Sequence, residues 1–148
     1  MPEPAKPDLS ADGFRGLVSY HEKEEEVHHQ EAHRLAVEKR QEEARHMMNQ
    51  KLADETWERM LAEARNAAQH GETEHMVLRF PCELCSDHGR AVNAPDPTWP
   101  STLRGLAAEV FMRWKRELRP RGFGLHARVV DFPGGVPGDI GLFLAWGK

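Results

Sequence analysis

The chain has 148 residues, of which 24 are acidic and 20 basic, and its formal net charge is −4. No stretch approaches the roughly 20 consecutive apolar residues that a membrane-crossing helix requires, so a helical membrane span is excluded. The charge is unevenly divided: residues 1–75 hold 17 acids and 10 bases, residues 76–148 hold 7 acids and 10 bases, and parts of opposite sign attract one another or one another's copies.

The opening residues, Met1-Pro2-Glu3-Pro4-Ala5-Lys6-Pro7, lack the basic segment and apolar run of a secretory leader. Residues 1–19 are expected to form a flexible lead-in, and the cytoplasm is the expected address. After Pro7 the next proline is Pro81, and after Gly16 the next glycine is Gly71, so residues 20–70 are predicted to run as one long charged helix. Its second half carries a packing stripe over 53–68: Ala53, Trp57, Met60, Leu61, Ala64, Ala67 and Ala68 recur at helical spacing. In residues 21–46 the apolar residues Val27, Leu35 and Val37 are scattered, which is too sparse for a coiled coil.

Residues 72–148 are predicted to form a compact α+β domain. Met76-Val77-Leu78-Arg79-Phe80 reads as a strand, and Ser86-Asp87-His88-Gly89 as a turn leading to a second strand at Arg90-Ala91-Val92-Asn93. Pro95, Pro97 and Pro100 mark a loop before the best helical signal of the chain, Leu103, Leu106, Ala107, Val110, Phe111, Trp114 and Leu118. Two further strands, 125–132 and 140–146, flank the Gly- and Pro-rich connector 133–139. The predicted order is therefore ββαββ: a four-stranded, mostly antiparallel sheet with one packed helix. Both faces of the last strand are apolar, so the helix 103–118 is expected on one face and the Trp57 stripe, from this chain or a second copy, on the other.

Cys82-x-x-Cys85-x-x-His88 could supply three ligands of a tetrahedral zinc site, with His75 or His126 as the fourth. The competing reading places both cysteines in the core of a hairpin, on opposite faces. A basic stripe on the helix 103–121, Arg113, Arg116 and Arg119 above all, suits either phosphates or an acidic protein surface. The modest basic balance of this half favours the protein surface over nucleic acid. His29 and His33, one helical turn apart, read as a solvated face rather than a chelating pair. No nucleophile elbow, phosphate loop or dinucleotide fingerprint is recognisable.

The sequence thus reads as a non-catalytic interaction or regulatory protein. It is expected to form a homo-oligomer, a dimer, and to bind a protein partner through its charged N-terminal helix, with Trp57, Met60, Leu61, Arg113, Arg116 and Arg119 as contact residues. The alternatives are a metal- or thiol-dependent sensor or enzyme centred on Cys82, Cys85 and His88, and a nucleic-acid binder using the basic helix face.

Overall fold

The computed structural model describes residues 9–147. They fall into two units, one ending at Lys39 and the other beginning at Arg40. The expected lead-in 1–19 falls partly outside the described residues.

The first unit is helical. Helix α1 spans Ala11–Asn49, and its first 29 residues, up to Lys39, belong to this unit. It starts nine residues earlier than the sequence predicts, because Ser10 caps it: the Ser10 hydroxyl oxygen accepts the Gly13 amide at 3.0 Å, and Asp12 places negative charge in the first turn. Arg15 pairs with Asp12 at 2.7 Å. The polar residues along the helix leave Phe14, Leu17, Val18, Tyr20, Val27 and Leu35 more than half exposed.

The second unit holds a three-stranded antiparallel sheet, β1 (Glu74–Pro81), β2 (Gly124–Val129) and β3 (Asp139–Ala145), in the order β1-β3-β2. Helix α2 (Asp54–Gln69), the short α3 (Arg90–Asn93) and α4 (Gly105–Glu117) complete it with the last turns of α1. No helix of the described residues is long and apolar enough to cross a membrane.

Three expectations are corrected. The long helix is broken: residues 50–53 separate α1 from α2, and the break is held where the Leu52 amide donates to the Glu109 carboxylate of α4 at 2.7 Å. Close approach makes this corner tight, since a Cβ on Gly105 would lie 2.6 Å from the Met47 carbonyl oxygen. The fourth strand is absent, and residues 90–93 are helical instead. Here the Asp87 carboxylate accepts the Gly89 and Ala91 amides at 3.0 and 2.8 Å and so starts a helical turn, which local propensity over four residues does not reveal. The first hairpin consequently does not exist. Strand β1 pairs with β3, from Glu74 opposite Ala145 to Pro81 opposite Asp139, while the second hairpin, β2 with β3, forms as expected.

The third correction concerns the sheet faces. Ile140, Leu142 and Leu144 of β3 share one face with Leu125, Ala127 and Val129 of β2, and this face carries the core. Trp57 and Met60 of α2 meet Val110 and Trp114 of α4 over Leu125 and Leu144, so both helices cover the same face. Phe80, Leu84, Val110, Ile140 and Leu142 are at most 1% exposed, each contributing about 1.5–3 kcal/mol of hydrophobic stabilisation. By the register, Arg128 of β2 and Phe143 of β3 point to the opposite face. The Arg128 guanidinium lies 3.8 Å from the Phe143 ring centroid and donates to Glu74 at 2.5 Å, screening the apolar ring with a cross-strand ion pair.

Candidate functional site

Cys82 and Cys85 lie at a corner after β1. Residues Cys82–Leu84 form a 3-10 turn rather than the extended run predicted, and Cys85 closes it with its amide bonded to the Cys82 carbonyl at 2.9 Å. Both thiols are free, and both residues are buried, at 6% and 0% exposure. Cys85 pairs with Leu103 in an isolated bridge that joins the corner to the start of α4. His88 is exposed, with left-handed backbone at φ 57. His75 is half-buried, 3.9 Å from Glu63, and His126 is exposed on β2. Among the described residues, no three His, Cys, Asp or Glu side chains form a group that could hold a metal ion.

The thiols are protonated at neutral pH. Burial pushes the Cys85 thiol up to about 11. Burial also raises Cys82, reinforced by the negative Glu83 and only partly offset by Arg40. A nucleophilic or metal-binding cysteine is poised in the opposite direction, by an electropositive and accessible setting. The Cys82 Sγ instead donates to the Pro137 carbonyl at 3.5 Å, a packing arrangement at the edge of the sheet.

Around Cys82 the unit assembles a cluster of opposed charges. The Arg40 Nε donates to both Glu83 carboxylate oxygens, at 2.8 and 3.1 Å, and its Nη1 donates to Asp139 at 2.9 Å. Arg79 donates to the other Asp139 oxygen at 2.9 Å and approaches Asp131 within 3.5 Å. Asp131 in turn accepts the Asp139 amide. Two guanidiniums are thereby shared among three carboxylates that come from three separate stretches of chain. One carboxylate is in excess, but both guanidiniums are engaged and every carboxylate already accepts at least one hydrogen bond, so the cluster works as a clamp.

The basic face of α4 is also largely committed. Arg113 donates to Glu117 at 2.6 Å and to Asp54 at 2.7 Å, with its guanidinium 5.4 Å from the Trp57 ring centroid. Arg116 pairs with Glu117 at 3.5 Å. Arg104 donates to the Glu83 and Cys85 carbonyls. Of the three arginines singled out from sequence, Arg119 alone has no carboxylate partner among the described residues. Trp57 and Met60 are buried at 4% and 6% exposure, so they serve the core of their own chain, while Leu61 remains half-buried.

Comparison of the chain with protein-family models, curated proteins and solved structures returns no match in any of the three. The surface that the sequence reading missed is the start of α1, where Phe14, Leu17 and Val18 stand at i, i+3 and i+4 with exposures of 55%, 67% and 57%. Such spacing puts them on one helix face. The signal was available in Ser10 as a cap followed by this triplet, but Gly13 and Gly16 within the same turns argue locally against a helix.

Proposed function

We propose that this is a non-catalytic interaction protein that binds a protein partner through α1 and self-associates. The observation that carries the reading is the Phe14, Leu17 and Val18 triplet: three large apolar side chains, each more than half exposed, on one face of an otherwise charged helix. A helix offering apolar side chains at i, i+3 and i+4 suits an apolar groove on a partner, where the three anchors are desolvated together. The polar residues that follow give such a contact its selectivity more than its strength. Self-association is supported by the opposite charge of the two parts of the chain, 17 acids against 10 bases and then 7 against 10.

The test is a comparison of the full chain with Phe14→Ala/Leu17→Ala/Val18→Ala. Proteins retained on the immobilised full chain are identified and purified, and their affinity for the two forms is measured directly. The expected result is at least a ten-fold loss for the triple variant, corresponding to about 1.4 kcal/mol or more. Equal affinity would remove α1 as the contact surface. Sedimentation equilibrium tests self-association separately, and a single monomer mass over the whole concentration range would sink that half of the reading.

A further inference from the structure

Beyond α1, the second unit carries a groove of about 440 Å3 between α2, the turn that follows α4, and the end of β3. Its floor and walls are apolar, with Leu61 and Ala64 from α2, Leu118 and Phe123 flanking the turn, and Leu144 and Trp146 from the last strand. The Trp146 indole is fixed by donating to the Glu72 carbonyl at 2.9 Å. Ala68 and two charged residues, Arg65 and Arg121, complete the lining. Both are exposed, and among the described residues neither guanidinium has a carboxylate partner. Glu117, which lines the neighbouring depression together with Arg121, is already engaged by Arg113 and Arg116.

An apolar lining of this size with a few polar groups at its margin is the usual form of a small-molecule site. The charge complementarity selects the occupant. Two unmatched guanidiniums beside apolar walls suit one anionic head of bidentate geometry on an apolar body, and a neutral ligand would leave them unused. We propose that the groove binds a long-chain carboxylic acid, its alkyl chain along Leu61, Phe123 and Trp146 and its carboxylate between Arg65 and Arg121. This site is independent of the α1 surface, and either assignment can fail without the other.

The experiment titrates the full chain with decanoate and with decanol, each below its micelle or solubility limit, following tryptophan emission and backbone amide shifts. Trp146→Phe identifies the part of the emission change that arises in the groove. Saturable decanoate binding at least about ten-fold tighter than decanol binding is expected, because the alkyl contribution is common and the carboxylate is not. Arg65→Ala/Arg121→Ala should remove that preference and leave decanol binding unchanged. Ala68→Trp, at an exposed position on the groove wall, should abolish binding of both while the circular dichroism spectrum stays that of the parent chain. Equal affinities, or decanoate binding insensitive to Ala68→Trp, would overturn the proposal. So would shifts at Leu61 and Trp146 produced by a leucine-rich peptide with a free C-terminal carboxylate but not by decanoate, which would give the groove to a partner chain's terminus.

Discussion

The Arg40 guanidinium donates to the Asp139 carboxylate at 2.9 Å, joining side chains that stand 99 positions apart in the chain. The same guanidinium holds Glu83, so one side chain ties the last turns of α1 to the corner after β1 and to the start of β3. Replacing Arg40 by Met leaves Glu83 without its cation and leaves Asp139 to Arg79 alone, both carboxylates being about a quarter to a third exposed. The expected loss of unfolding free energy is about 1–3 kcal/mol, between the values for exposed and fully buried pairs. Arg40→Lys should recover only part of it, because an ammonium cannot reproduce the fork shared by Glu83 and Asp139. Urea unfolding of the three forms checks this, and an unchanged midpoint for Arg40→Met would show the cluster to be energetically idle.

Gly105 has φ +59, and a Cβ there would meet the Met47 carbonyl oxygen and the Met48 Cα at 2.6 Å. Both obstacles are backbone, so neither can rotate aside. Gly105→Ala is expected to cost about 1–3 kcal/mol and to loosen the corner between α1 and α4. Hydrogen exchange at Leu52, whose amide is held by Glu109, should accelerate in the variant.

Gly16 presents the opposite case: apart from its chain neighbours and the backbone of its own helix, nothing lies within 4 Å of the Cβ it lacks, and it sits inside α1. Gly16→Ala should favour the helix by about 0.5–1 kcal/mol through the reduced entropy of the unfolded chain. Amide protection around Phe14 and Leu17 should rise, and a fall would mean that α1 bends at this position.

The thiols set a pH dependence. Burial raises Cys85 from its ordinary 9.0 to about 11 and raises Cys82 in the same direction. For a group whose folded pKa lies above its unfolded one, the folded state retains the proton longer. Stability from Cys85 is therefore complete below pH 9 and is lost as the pH rises to about 11. The amplitude is on the order of 2 kcal/mol. Cys85→Ala should flatten the decline over this window relative to the parent chain, beneath a constant offset from the altered packing. Alkylation of both thiols at pH 8 should be slow in the native protein and fast in urea; rapid native labelling would contradict their burial.

The legible parts of the fold were those with a strong period or a local turn. Trp57, Met60 and Ala64 on α2, and Leu106, Ala107 and Val110 on α4, repeat at 3.6 residues and are buried as that repeat requires. Pro133, Gly134 and Gly135 announce the connection between β2 and β3. What was not legible depended on distant partners. The four residues of α3 carry no usable period, and the Asp87 carboxylate decides their conformation. The pairing of β1 with β3 is specified by a strand far along the chain, against the nearer partner that the turn at Ser86-Asp87 suggested. At the candidate sites, Cys82 and Cys85 drew attention by their spacing, whereas Arg65 and Arg121 are neighbours only in the folded groove.

The sheet order β1-β3-β2 also bears on how the protein is made. Its central strand follows both of its neighbours in the chain, so on the ribosome β1 and β2 emerge before either has a hydrogen-bonding partner. Helices α2 and α4 can form as they emerge, but the apolar face they cover is incomplete until Ile140, Leu142 and Leu144 arrive. During synthesis the nascent chain thus exposes strand edges and the stripe around Trp57, the state in which a protein is most open to chaperones and to pairing with another nascent copy.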